Sequence, residues 1–431
     1  MYTSPTGDET GLVSYWNFND GEGETLTDLS PNGNNGTIYG ATWSDDVMQP
    51  PYNGPEWYVS TEGSDDNNGS YEYPFASVQH AIDAANDHDL VEISSGEYFE
   101  NIVINKSLNI GGNNENGYII INGNQNGSTA RIEGVSDSII VSLYGLRFTN
   151  GRSDKGGGIF ISNALVEMAQ CDIYNNQTAG QGSQGAGIYS LNSSLNISNC
   201  YVWNNNADDL PGLGAGIYAE NSLVNINDNS HINNNSSSGS GGGIYAVGQN
   251  SHIELFNSGV DNNSSQQKGG GLYIIDSAMV FLYDSKVNDN TTSEQGGGVY
   301  LENNSYFSAS DNSRVSSNTT TQDCFTGQGS QGAGLYVSQS TVEYYGGYIY
   351  GNSSADAGGA MFVTNGSNVN LSYVGMDTNE SAEVGGGENT IGGSLGIVYD
   401  SEVNFDHCTA LLNSSTSGGV GGLYAENSNI N

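Results

Sequence analysis

From about residue 138 onward, the apolar positions of this chain recur in blocks, mostly 26 to 29 residues apart. Each block opens on a glycine-rich turn followed by an aliphatic and then an aromatic residue. Examples are Gly-Gly-Gly-Ile-Phe at Gly156 to Phe160 and Gly-Ala-Gly-Ile-Tyr at Gly185 to Tyr189 and again at Gly214 to Tyr218. The aliphatic position falls at Ile159, Ile188, Ile217, Ile244, Leu272, Val299, Leu335, Met361 and Leu423. A second run begins at a serine and carries apolar residues two and four positions on, as in Ser222 to Ile226, Ser251 to Leu255 and Ser401 to Phe405. Period two is the mark of a strand with one inward face. A third run ends in an apolar residue with asparagine three positions later, at Asn176, Asn205, Asn235, Asn263, Asn290, Asn318, Asn352, Asn379 and Asn413.

Three strand-like runs per repeat predict an all-β, right-handed parallel β-helix, a solenoid with three strands per coil of about 28 residues. Coils stacked in parallel register lie about 4.8 Å apart, so like residues stack, and the asparagines read as a ladder of side-chain amides bonded along the axis. Two coils are longer than the rest, with extra residues after Asn318, including Cys324, and around Gly385 to Gly393. Insertions mark a variable, partner-facing edge of a solenoid. The chain stops inside a coil at Asn431, which is read as a fragment of a longer protein or an end covered by another chain.

Ahead of the regular coils, residues 57–137 read as the opening of the solenoid. Phe75, Val78, Ile82 and Ala85 fall at helical spacing with Ser77 as N-cap. Strand-like alternation follows at Leu90 to Ile93, Gly96 to Tyr98 and Asn101 to Asn105. A short helix here meets a physical need, because an open solenoid end exposes its core and an unpaired edge. The prolines Pro50, Pro51 and Pro55 mark residues 50–56 as a linker.

This helix-then-strand order resembles the opening of the pectate-lyase-like right-handed β-helix superfamily. The glycine-aliphatic and apolar-x-x-Asn repeats of residues 138–431 resemble those of chlamydial polymorphic outer-membrane proteins and adhesin-like β-helices, with Ile or Val in place of the usual Phe. The stretch from Gly11 to Val47, with Tyr15-Trp16-Asn17-Phe18 and Asp28 to Ile38, resembles the opening of a laminin-G or concanavalin-like jelly roll, and residues 1–49 are read as part of such a segment. These resemblances imply an extracellular or outer-surface protein, either adhesin-like or structural with carbohydrate binding, or a polysaccharide lyase or glycoside hydrolase.

Charge narrows the partners. Lys+Arg number 8 against 48 Asp+Glu, a formal charge of −40. Such a surface repels nucleic-acid phosphates and anionic lipid, so no nucleic-acid partner and no membrane insertion are expected. Glycans, surface proteins and neighbouring segments of a longer chain remain as partners. No basic-then-apolar signal pattern opens the sequence.

Several constellations invite chemistry. Gly180 to Gly185 and Gly327 to Gly332 spell the dinucleotide fingerprint, but strands follow them where a helix is required, so turn glycines are the better reading. Cys171 and Cys200 share one column and read as small buried stacking residues rather than a disulfide. The aromatic column contains Tyr189, Tyr218, Tyr245, Tyr273, Tyr300 and Tyr336, and alternation turns it outward, where it would stack on itself or offer rings to sugars. Lys286 and Arg314 fall in one outward column and could grip an anion, although Asp284, Asp289 and Asp311 lie near enough to pair with them. Asp261 and Asp289 lie one coil apart, the separation a glycosidase pair needs, but in so acidic a chain such pairs also arise by chance. Thin basic supply weighs against catalysis. The five histidines, among them His231, show no metal spacing and read as solvated. No cofactor is implied beyond Ca²⁺ at acidic loops such as Asp65-Asp66-Asn67-Asn68, which lack a full ligand loop.

Overall fold

The computed structural model describes residues 5–43, 49–112, 117–135, 139–321, 329–382, 396–415 and 422–431. Cys324, Gly327 and the Gly385 to Gly393 insertion lie outside the described residues. The chain divides into two compact units, residues 1–51 and 52–431.

In the first unit a short antiparallel pair joins Thr25–Leu26 to Gly36–Thr37. The Asp28 carboxylate organises the surrounding loop, accepting from the backbone N–H of Tyr15 (2.8 Å), Ser30 (2.9 Å) and Asn34 (2.6 Å) and from Ser30 Oγ (2.9 Å). Desolvation pushes its pKa up, but these four donors outweigh that effect and bring it down to about 2.

The second unit is a parallel β-helix built on three sheets of 24, 12 and 10 strands. One coil shows the plan. Ile217–Glu220 lies in the 12-stranded sheet, Leu223–Asn227 and His231–Asn233 both lie in the 24-stranded sheet, and Ser236–Ser237 lies in the 10-stranded sheet. The three runs read from the sequence are all present, and a two-residue strand after each ladder asparagine is the element that reading missed. Register puts like on like, with Ile188, Ile217 and Ile244 in line.

Corners explain the composition. In this coil Asn221, Asp228, Asn229 and Asn234 adopt φ of 49°, 55°, 63° and 54°, and Gly241 adopts 69°. Left-handed backbone is costly for most side chains but tolerated by Asn, Asp and Gly. Each coil spends several such residues, which is why the chain is so rich in them.

Inside, the Asn ladder runs without a break from Asn176 to Asn413. In mid-ladder, Asn263 Oδ1 accepts from the backbone N–H and from Nδ2 of Asn235 (both 3.0 Å), while its own Nδ2 donates to Ile232 O (2.8 Å) and Asn290 Oδ1 (3.0 Å). All four bonding positions of a buried amide are thus used. Cys171 and Cys200 are free thiols in a parallel ladder otherwise made of serine. The Cys171 N–H donates to Cys200 Sγ (3.2 Å), as the Cys200 N–H does to Ser230 Oγ (3.1 Å).

The expected helix spans Val78–Ala84 and buries Val78, Ala81 and Ile82 against the first coils. Its cap differs from expectation. Ser77 makes no capping bond, and its hydroxyl donates instead to Asp65 Oδ2 (2.8 Å). The first-turn N–H groups of Val78 and Gln79 donate to the Glu100 carboxylate at 2.8 Å each, and Lys106 Nζ donates to carbonyls at the other end, including Ala85 O at 2.8 Å. Opposite charges from the following coil thus complement both ends of the helix dipole. Burial nevertheless holds the Glu100 carboxyl above its usual range. Asp65 is committed to this junction, its Oδ1 accepting from the Ala76 and Ser77 N–H at 2.9 Å each. Among the described residues no three His, Cys, Asp or Glu side chains gather as a metal site, and no helix is long and apolar enough to cross a membrane.

Candidate functional site

The six tyrosines expected to face outward are covered. Their rings do stack, with centroid spacings of 5.3, 4.9, 4.8, 4.9 and 4.8 Å from Tyr189 through Tyr336. Tyr189, Tyr218, Tyr273 and Tyr300 are buried, and Tyr245 and Tyr336 are partly so. The glycine turn is the cause. It folds back over the strand so closely that a Cβ on Gly269 would lie 2.9 Å from Tyr273 Cβ, and one on Gly296 2.7 Å from Tyr300 Cβ. Lys155 Nζ bonds Tyr189 Oη (3.1 Å) and Lys268 Nζ bonds Tyr300 Oη (2.9 Å), closing the edge. Burial pushes the Tyr245 and Tyr336 hydroxyls up to about 12. This ladder holds the sheet together and offers no ring face to a ligand.

The accessible chemistry lies on the 24-stranded sheet. In the strands that precede the ladder asparagine, the residue just before the inward apolar position points out. Register carries this column through Arg147, Asp172, Tyr201, His231, Gly259, Lys286, Arg314, Tyr348 and Gly375. Three of the eight Lys and Arg side chains, Arg147, Lys286 and Arg314, therefore share one column. Arg147 is occupied, bonding Asp172 (3.1 Å) and lying over the Tyr118 ring.

The centre of the column is a built arrangement. Asp261, two residues past Gly259 on the same strand, is buried with 7% side-chain exposure. Its Oδ2 accepts from His231 Nδ1 at 2.7 Å and faces Lys286 Nζ at 3.4 Å. Its Oδ1 is buried with no hydrogen-bond partner. Because an ionised carboxylate only accepts, this contact places a proton on Nδ1 of His231 and leaves Nε2 as the ring's other polar atom. Gly259 makes the contact possible. A Cβ there would stand 2.4 Å from Asp261 Oδ2, 2.8 Å from His231 Nδ1 and 3.0 Å from Lys286 Cε. The space, rather than the backbone conformation, requires glycine.

A shallow groove of roughly 150 Å³ opens over this cluster, lined by His231, Lys286 and Arg314 with the corner residues Asn229, Asn257, Asp284 and Asn312. Lys286 pairs with Asp261 and not with Asp284, Asp289 or Asp311, because the gap at Gly259 gives it a buried carboxylate to reach. Arg314 is exposed and makes no ion pair among the described residues. Asp289 sits on an exposed corner (φ 55°) with its carboxylate bonded to Asn288. Asp261 and Asp289 thus differ in setting, the first buried beneath the groove and the second on an exposed corner.

Aromatic rings flank the cationic centre. Tyr201 stacks on His231 (5.7 Å), and Tyr174 stacks on Trp203 (5.0 Å) one outward position further along. Across the corner Phe256 stacks on Tyr283 (4.5 Å). Tyr348 follows Arg314 on the next rung and is exposed. Sequence reasoning found Lys286 and Arg314 but missed His231, Gly259, Tyr201 and Tyr348. The signal was available at the position before Val202, Ile232, Val260 and Ile349, the apolar residues already used to place the ladder.

No protein-family model and no curated protein matches the chain. Solved structures similar to it include pectate lyase Pel9A (15% identity, 86% of this chain and 79% of that one covered, TM-score 0.35). XylC in complex with xylose aligns at 9% identity over 83% of this chain and 86% of its own, with a TM-score of 0.41. The family 28 exopolygalacturonase of Yersinia enterocolitica aligns at 9% identity over 94% and 82%, with a TM-score of 0.34. At such identities no residue role transfers.

Proposed function

We propose that this chain is an extracellular or surface-displayed β-helix scaffold that binds acidic polysaccharide along the outward column from Tyr201 to Tyr348. One observation carries the reading: in a chain of charge −40, His231, Lys286 and Arg314 line one groove, and Arg314 makes no ion pair among the described residues. Lys286 and Arg314 stand on consecutive rungs, about 4.8 Å apart, a spacing that suits a carboxylate held between a point charge and a planar fork. Tyr201, Trp203 and Tyr348 supply ring faces with polar tips at either side, as sugar rings require. The adhesive role expected of the covered tyrosines passes to the exposed Tyr201 and Tyr348 and the half-buried Trp203.

A second reading, an acid-base enzyme acting on the same glycans, is favoured by one contact. Asp261 fixes the His231 ring through Nδ1, as a positioned general base needs. A glycan array run alongside an absorbance assay for unsaturated uronate products separates the two. Retention of acidic glycans without product supports the binding scaffold, product formation supports the enzyme, and retention only of neutral glycans defeats both.

A further inference from the structure

Two bulky rings stand at one left-handed corner of this solenoid. The turn between the two strands of the large sheet is occupied by Gln170, Asn199, Asn229, Asn257, Asp284, Asn312 and Gly346, all with positive φ, and then by Tyr373 (φ 57°) and His407 (φ 52°). Left-handed backbone disfavours a bulky ring, and such strain persists where other contacts or a ligand compensate for it. Burial does not compensate, since Tyr373 is 53% exposed. Its ring instead stacks face to face on His407 (4.9 Å, 9°) and meets the exposed Tyr345 edge-on (5.7 Å, 69°).

Tyr348 completes the surface. It lies one rung beyond Arg314 in the cationic column, and a Cβ on Gly375, the next rung again, would stand 2.8 Å from its Cδ1. Gly375 does not adopt positive φ, so here too glycine makes room for a neighbour, allowing the Tyr348 ring to lie across the rung. Gly259 and Gly375 are the two glycines of this column, one beneath the cationic cluster and one beneath an exposed ring.

The chain has no Lys or Arg after Arg314, and the carboxylates of Glu343, Asp377 and Asp406 accept from Asn370 Nδ2 (2.8 Å), the Leu411 N–H (3.0 Å) and His407 Nδ1 (2.5 Å). No Lys or Arg beyond Arg314 stands there to neutralise an anion. The exposed tyrosine faces match uncharged sugar rings, whose apolar faces stack and whose hydroxyls meet the tyrosine tips.

We infer that Tyr345, Tyr348, Tyr373 and His407 form a separate platform for neutral sugar units, so that the strip reads a polysaccharide with uronate residues at Lys286 and Arg314 and uncharged residues beyond them. This rests on the acidic-glycan reading and adds the ligand's composition to it. The test measures binding of full-length protein to polygalacturonate, a uniformly acidic polymer, and to hyaluronan, which alternates glucuronate with a neutral amino sugar. Tyr373→Asn restores the residue type that other coils use at this corner, so it should raise the thermal midpoint while lowering hyaluronan affinity, roughly tenfold when combined with Tyr345→Ala. Polygalacturonate affinity should stay within about twofold. Hyaluronan binding unchanged by the double variant, or an equal loss for both polymers, overturns the platform and leaves the cationic groove standing. Wild-type protein that retains neither polymer overturns both.

Discussion

Replacing Gly259 with alanine puts one methyl group where His231, Asp261 and Lys286 converge. With the native backbone the new Cβ would stand 2.4 Å from Asp261 Oδ2 and 2.8 Å from His231 Nδ1, distances real Cβ atoms do not tolerate. Lys286 can swing away, since its side chain is 44% exposed, but Asp261 is fixed on a central strand and the His231–Asp261 bond must lengthen or break. Overpacking costs roughly 1 to 3 kcal/mol, and loss of a hydrogen bond to a buried charged group costs on the order of 1.5 to 3 kcal/mol. A local loss of about 2.5 to 6 kcal/mol is therefore expected. Because solenoid coils interact mainly with their neighbours, the loss should concentrate near residues 231–286 instead of spreading along the axis. Native-state hydrogen exchange reports it as faster exchange of those amides, with coils near Asn352 unchanged. Acidic-glycan affinity should fall in the same variant. Unchanged exchange together with a retained His231 Nδ1–H resonance would refute the claim that glycine is there for space.

Four further outcomes are expected. Asn263→Ala removes four buried hydrogen bonds and leaves the Asn235 backbone N–H unpaired, so it should cost about 3 to 5 kcal/mol by denaturant titration; Asn413→Ala, at a partly buried end of the ladder, should cost clearly less. Alkaline titration followed at 295 nm should show the ladder tyrosines resisting ionisation: the folded-state pKa of Tyr245 and Tyr336, near 12, lies above the unfolded value, so their contribution is full below about pH 10 and is lost as pH rises through 12. Asp28 shows the opposite sign, with a folded pKa near 2, so the order it gives the first unit is present above about pH 4 and should vanish between pH 4 and 2 in an NMR titration. Cys171 and Cys200 should label with a thiol reagent only after unfolding, and a crosslinked peptide in non-reducing mass spectrometry would contradict the free thiols.

The repeating part of this fold is legible in sequence because each coil sees nearly the same environment. The aliphatic, serine and asparagine columns recur since each occupies one position in a coil, and reading down them is the same operation as reading along the axis. The residues that broke the reading are those whose environment depends on more than their own column. The tyrosines alternate outward as a strand demands, but the glycine turn folds back over them, a three-dimensional contact that period-two alternation cannot express. The helix cap was misassigned for a similar reason, because Glu100 arrives from the next coil while Ser77 is only the local candidate. His231 and Gly259 looked like ordinary residues one at a time and Asp261 like half of a chance carboxylate pair, and their meaning lies in a gap at one rung filled from the rungs on either side.

The central claim is that the outward column of His231, Lys286 and Arg314 is the glycan-binding face. Titration calorimetry of polygalacturonate into wild-type protein and into the Lys286→Ala/Arg314→Ala double variant tests it most directly, with circular dichroism showing that the coils are intact. Exposed charge contacts of about 0.5 to 1 kcal/mol each predict a loss of roughly five- to thirtyfold, shrinking as salt is raised. Equal affinity in the two proteins at low salt would place the ligand elsewhere and contradict the account.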